Sequence, residues 1–358
     1  MKLTKTTYHL LLRFIAGLAA SLILVGAVAA ITQRNSANPY RSASGVNPDS
    51  IVMTIDGQDI RAKEYLYWLA YYCDYYNQYL SYMGIADWNM ELTEGYTAGD
   101  YIAQQGELET LSMVTQYAVI DSWANEAGIT LTDEDLQNIA AQREKSVAQL
   151  GGEKAYLQNL EAMGIDEDFV VQSLSHSFLI SHLYETYCTE GSSLYPGADA
   201  VAAYTDAHEY LGALILFIDT CEMGEEEKAV VLTQMEGYAA SLRDSEDKDA
   251  SFAVIAEKLG LNPTVTTFAA DQMEESFVAD LKSLPMDTVS NVIATDEGYY
   301  VAIRREPGTE IILNDMLNDT FAERCQNADV SCNDKVYGSI HTLTFYQKLL
   351  AARSASAN

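Results

Sequence analysis

The chain has 358 residues, with 52 acidic against 21 basic side chains and a formal net charge of −31. That balance excludes a nucleic-acid binder, which needs a basic face against phosphates, and a protein that docks by charge on anionic lipid. With 48% hydrophobic and only 20% charged residues, it is nevertheless a folding sequence, long enough for two or three domains.

Lys2, Lys5 and Arg13 precede an uncharged apolar run from Phe14 to Ile31, closed by Arg34, and no acid occurs before Asp49. As a helix the run would be about 27 Å long, near the ~30 Å of a bilayer core. Residues 1–34 are therefore expected to be a transmembrane helix, tying the chain to the cell membrane as a single-pass protein with its bulk extracytoplasmic. The alternative is a cleaved secretory signal, since Ala27-Val28-Ala29 has small residues at the required spacing, and the protein would then be secreted. Either way the remainder is exported. Its five cysteines are too scattered for a disulfide framework. Cys325 and Cys332 could bridge a short loop in an oxidising compartment, or remain two buried thiols.

Residues 35–50 read as a polar linker of turn formers. Ile51 to Ile55 is a short strand, Asp56-Gly57 a turn, and a helix runs from about Ala62 to Met83. It carries Tyr65, Trp68, Tyr72, Tyr75, Tyr76 and Tyr79 at three- and four-residue spacing. Such a stripe is a core face or, with Tyr in place of Leu, a half-wet binding surface. Gly84 to Gly99 reads as an acidic loop, and a long helix follows from about Asp100 to Ala127, stopped by Gly128. Thr132 with Asp135 resembles a capping box opening a helix to about Leu150. Gly151-Gly152 break it; a shorter helix ends at Met163, and Asp166 to Tyr187 is a further helix. Residues 51–195 thus form an elongated, mostly helical module.

After Pro196 the pattern changes. A short helix begins at Val201, Leu211 to Ile218 is an apolar strand, and helices follow at about Glu225–Arg243 and Ser251–Leu259. Thr264–Phe268 is a strand, Glu274–Leu284 a helix, and Val289–Ala294 with Tyr299–Arg304 a hairpin. The order β-α-α-β-α-β-β describes a small α+β domain over residues 196–306. Residues 307–358 add a helix, Ile311–Cys325, and a mixed tail with a frayed end. The whole is expected to be α+β.

Three stretches of the helical module resemble the SurA/PrsA type of extracytoplasmic chaperone-foldase. They are Val52 to Ile60 with its Asp56-Gly57 turn, Ala118 to Leu136 with Ala127-Gly128-Ile129 before Thr132-Asp133-Glu134, and Gly151-Gly152-Glu153 continuing to Gly164-Ile165-Asp166. The second half is similar to the family's parvulin-like (PpiC-type) domain. Ala213-Leu214-Ile215-Leu216 stands at the first strand, Phe252 to Ala256 in a helix, Met273 and Phe277 after the second strand, and Gly298-Tyr299-Tyr300 in the hairpin. The resemblance implies a helical module completed by residues 307–358 around an inserted isomerase domain, with the strand Ile51–Ile55 pairing near Asp329–Ser331.

The departures from that family bear on chemistry. Isomerising an X-Pro bond means lowering a barrier of about 20 kcal/mol by holding the twisted amide better than the planar one. The family does this with an apolar proline pocket beside two histidines, and here Leu214 and Tyr300 occupy the histidine positions. The glycine-rich loop is missing too, because Lys258 to Pro263 passes directly into the next strand. No catalytic residue is identified, and Met273 and Phe277 are retained either as substrate-binding groups or as core. Tyr65, Trp68, Tyr72 and Tyr76 are the candidate contacts for substrate in the helical module. His176 and His182 are six apart, and no metal, nucleotide or nucleophile motif is present, so neither metal nor cofactor is implied.

The expected function is a membrane-anchored chaperone assisting exported proteins, its partners being unfolded or partly folded polypeptides and its prolyl isomerase activity lost. The alternatives are an active peptidyl-prolyl isomerase with an altered site, or a non-catalytic scaffold subunit of an envelope complex.

Overall fold

A computed structural model describes residues 38–356. No helix among them is long and apolar enough to cross a membrane. The longest, Ala98–Ala127, has 30 residues, but its course carries Asp100, Glu107, Glu109, Asp121 and Glu126, which hydrocarbon would not tolerate. The transmembrane helix expected as part of the fold, and with it a membrane partnership, is thus no element of the described architecture. Phe14 to Ile31 and Ala27-Val28-Ala29 lie outside the described residues.

The chain divides into two units, one made of residues up to Thr186 with those from Asn318 onward, the other of Tyr187–Leu317. In the first, the segment expected to be a linker forms a helix, α1 (Pro39–Ser44). Asn38 accepts hydrogen bonds from the amides of Tyr40 and Arg41, Pro39 opens the first turn, and Gly45 closes it at φ 78°. Tyr40 and Ala43 are buried. The Tyr40 ring lies so close to Gly164 (φ +73°) that a Cβ there would meet it at 2.6 Å.

Strands β1 (Ile51–Ile55) and β2 (Gln58–Arg61) form a hairpin whose turn residues, Asp56 and Gly57, both have positive φ, as a tight hairpin turn requires. The other edge of β1 pairs antiparallel with β9 (Val330–Cys332), one residue beyond the expected segment. The Asp56 amide still reaches the Asp329 carbonyl at 3.0 Å. Helix α2 (Ala62–Tyr82) and helix α3 (Ala98–Ala127) pack along each other. The connection expected to be a loop contains a small hairpin, β3 (Glu91–Thr93) and β4 (Tyr96–Thr97), whose last residue caps α3 in a box with Asp100. Thr132 and Asp135 make a second box at the start of α4 (Asp133–Gln149). Then come α5 (Glu153–Ala162) and α6 (Glu167–Cys188).

The second unit opens with α7 (Ala198–Ala207) and continues with β5 (Leu211–Asp219), α8 (Glu225–Asp244), α9 (Lys248–Leu259), β6 (Thr266–Phe268), α10 (Glu275–Ser283), β7 (Ile293–Ala294) and β8 (Gly298–Arg305). Its four strands lie in the order β6-β5-β8-β7, all neighbours antiparallel. The strand expected over Val289–Ala294 is reduced to β7 and one bridge between Val289 and Ile303. Helix α11 (Thr309–Asn327) follows, then β9, the short α12 (Asp334–Tyr337) and α13 (Thr342–Ser356). The last of these contacts α1, α2 and α3, with Phe345, Tyr346 and Leu349 buried.

Candidate functional site

The sheet of the second unit decides whether the expected isomerase positions cooperate. In the β5–β8 ladder Leu214 is paired with Ile303 and Phe217 with Tyr300. Side chains directly opposite each other share a face, and faces alternate along a strand. Leu214, Leu216, Val301 and Ile303 therefore point to one side, into a core with Met235 and Leu242 of α8 and Phe252 of α9. Ala213, Tyr300 and Ala302 point to the other, with Phe268, Phe277 and Leu281. Leu214 and Tyr300, the two positions matched to the family's histidines, are on opposite faces. Matching the first strand by local pattern carries no register, and an odd offset moves a side chain to the other face.

Tyr300 is a packing residue. Its ring stacks on Phe217 at 4.4 Å and lies 4.6 Å from Phe277. Burial first, then the charges of Glu297 and Glu274, pushes its phenol up to about 12, so near neutral pH it is an uncharged donor. Phe277 is fully buried, whereas Met273 is half-buried at the edge of the same cluster together with Ile215, Phe217 and Leu284. Of the two apolar candidates, Met273 can meet a ligand and Phe277 supports the wall behind it. The thiol nearest this edge, Cys221, is exposed, and its hydrogen bond with Asp219 is the first of the effects that hold it above its ordinary value. This face offers an apolar aromatic wall without a histidine or an activated nucleophile.

In the first unit Tyr65, Trp68 and Tyr72 are buried, at 1%, 0% and 8% exposure. They face α3, Trp68 packing against Tyr117 at 5.8 Å, so these three expected contacts are core and present no surface to a client. Tyr76 is half-buried and donates its hydroxyl to Glu109 Oε1 at 3.3 Å. The accessible aromatic surface is the C-terminal continuation of the same stripe. Tyr75 is 53%, Tyr79 47% and Tyr82 91% exposed, with Met83 and Met90 exposed beyond them. Tyr96 of β4 and Tyr101 of α3 adjoin this row: the Tyr76 and Tyr101 rings meet edge-on at 5.6 Å, and the Tyr101 phenol is raised by burial and then by Tyr79, Tyr96 and Tyr75. Tyr75, Tyr79 and Tyr82 continue the three- and four-residue spacing of Tyr65, Trp68 and Tyr72 towards the C-terminal end of the helix. That period was visible, but nothing local says how far along its length the stripe is covered.

The remaining polar groups are structural. His176 is buried, with Nε2 3.1 Å from Asp121 Oδ2, and His182 Nε2 is 2.7 Å from Asp135 Oδ2. That second pair ties α6 to the cap of α4. Among the described residues no group of three or more His, Cys, Asp or Glu side chains could hold a metal ion. An apolar cavity of about 30 Å³ lies beside Leu150, Tyr156, Leu160, Ile165, Phe169 and Leu174, too small for more than a solvent-sized group. Cys325 and Cys332 are unpaired; the first is buried and the second exposed on β9.

No family model and no curated protein matches the chain. Among solved structures it is similar to the foldase protein PrsA of Streptococcus pneumoniae, at 18% identity over 74% of this chain and 93% of that one, TM-score 0.27. It is likewise similar to PrsA of Bacillus subtilis, at 16% identity over 71% and 88%, TM-score 0.23. A third is a SurA-like chaperone of Campylobacter jejuni, at 14% identity over 79% and 99%, TM-score 0.20. These three solved structures are two PrsA proteins and a SurA-like chaperone.

Proposed function

We propose that the chain is an extracytoplasmic chaperone that holds unfolded segments of exported polypeptides, and that its four-stranded unit has lost prolyl isomerase chemistry. The observation that carries the reading is the exposed row Tyr75, Tyr79 and Tyr82 with Met83. Rigid amphipathic rings cover much area at little entropic cost, and an exposed apolar patch of this kind marks an interaction surface. Two further observations support it. Leu214 and Tyr300 stand on opposite faces of their sheet, and the net charge of −31 keeps a sticky protein soluble and self-repelling. Export is supported by the sequence order of Lys2, Lys5 and Arg13 before the apolar run.

The test is aggregation suppression of a chemically denatured model protein, beside a proline-limited refolding assay on the same preparation. Wild type is expected to suppress aggregation without speeding refolding. Tyr75→Ser with Tyr79→Ser and Tyr82→Ser, all at exposed positions, is expected to lose most of the suppression while keeping the unfolding midpoint. Full suppression by that triple variant would remove the proposed surface. An accelerated refolding rate would restore the isomerase reading.

A further inference from the structure

The half-buried patch of Ile215, Phe217, Met273 and Leu284 ends at an acidic rim. Asp219 follows Phe217 by two residues at the end of β5, opposite Gly298. Glu297 precedes β8, and its amide donates to Glu274 Oε1 at 3.3 Å, which brings the start of α10 to the same edge. Asp296 is adjacent. All three of Asp219, Glu274 and Glu297 act on the Tyr300 phenol, the ring stacked on Phe217. Lys228, which acts on the Cys221 thiol, is 3.6 Å from Glu225, and Arg304 stands at the Leu284 end of the patch, donating to the Lys282 and Leu284 carbonyls at 2.7 and 2.6 Å.

Some carboxylates of this unit are neutralised. Arg305 pairs with both Asp249 and Asp287, and Lys282 with Glu209. Asp219, Glu274, Asp296 and Glu297 form no ion pair among the described residues. Four uncompensated carboxylates round an apolar patch repel one another, and a cation brought beside the patch relieves that repulsion. An apolar wall fixes an apolar side chain, while a rim of one sign selects its flanks.

We infer that this face takes an apolar or aromatic residue of a client flanked by Lys or Arg, with Glu274, Glu297 and Asp219 reading the positive charge. The inference deepens the chaperone reading and rests on it.

The test uses the full chain and three fluorescein-labelled Gly/Ser peptides with central Arg-Phe-Arg, Glu-Phe-Glu or Arg-Ser-Arg, titrated by anisotropy at low salt. The Arg-Phe-Arg peptide is expected to bind at least about tenfold more tightly than either other, since both the wall and the rim are needed, and to weaken as salt screens the rim. Glu274→Gln with Glu297→Gln should reduce its affinity about three- to tenfold, the range of two partly exposed charge pairs, and Met273→Ser should weaken it too. Glu236→Gln with Glu257→Gln, an equal change of charge at exposed positions on α8 and α9, should leave it unchanged.

No preference for Arg-Phe-Arg, or an equal loss in both charge-neutralised variants, would overturn the inference. Aggregation suppression by wild type is read in parallel. If suppression persists without peptide preference, only the specificity fails; if peptide preference persists without suppression, the chaperone reading fails by itself.

Discussion

Glu64→Gln is expected to change how the stability of the first unit depends on pH. Glu64 lies in the first turn of α2 and is 5% exposed. Burial first, then the charge of Asp121, pushes its carboxyl up to about 8 from an ordinary 4.5, against a smaller opposing pull from Lys63 and Arg61. The folded state therefore holds this proton more tightly than the unfolded chain. The stability that comes with the proton is complete below pH 4.5 and is lost as pH rises towards about 8, at up to about 1.4 kcal/mol per pH unit. By about pH 8 the accumulated loss is on the order of 4 kcal/mol. Gln keeps the shape and removes the titration. Urea unfolding at several values between about pH 5 and pH 8, followed by tryptophan fluorescence, reads this unit alone, because Trp68, Trp88 and Trp123 all belong to it. The variant should gain on wild type steadily across that range, while the His176–Asp121 contact is common to both and cancels. Parallel stability profiles would refute the assignment of a buried, protonated Glu64.

Three further outcomes are expected. Gly164→Ala places a Cβ against the Tyr40 ring at a left-handed backbone position, and should cost about 2–4 kcal/mol in the same fluorescence-monitored unfolding. A native thiol titration should modify the exposed Cys221 and Cys332 quickly and reach the buried Cys73 and Cys325 only on unfolding; rapid modification of Cys325 would contradict its packing. Leu214→His with Tyr300→His should not speed proline-limited refolding, because the two imidazoles would sit on opposite faces of the β5–β8 pair. Acceleration by the pair together, but by neither alone, would refute the register.

Much of the local structure was legible because its causes are local. Thr132 and Asp135 cap a helix wherever the chain puts them, Gly151-Gly152 interrupt one, and Asp56-Gly57 make a hairpin turn by their own backbone preference. Helix α1 escaped because Pro39-Tyr40-Arg41 is short and polar in pattern. Its burial comes from Gly164 and Phe345, far away in sequence. The candidate surfaces divided in the same way. The tyrosine stripe of α2 was plain, but which part of its length would be covered was not. Trp68 and Tyr72 went inward because α3 lies there, leaving Tyr75 and Tyr79 in water.

The sequence by itself determined local signals, among them the Thr132–Asp135 cap, the Gly151-Gly152 break and the Asp56-Gly57 turn. The tertiary structure decided which faces Leu214 and Tyr300 take. Strand register is a pairing between distant segments, and one residue of shift exchanges the two faces of a sheet. The ladder Leu214–Ile303 and Phe217–Tyr300 put the two positions on opposite sides and gathered Asp219, Glu274 and Glu297 at the edge of an apolar wall. No window of sequence contains those three carboxylates together, because only the meeting of β5, α10 and β8 does.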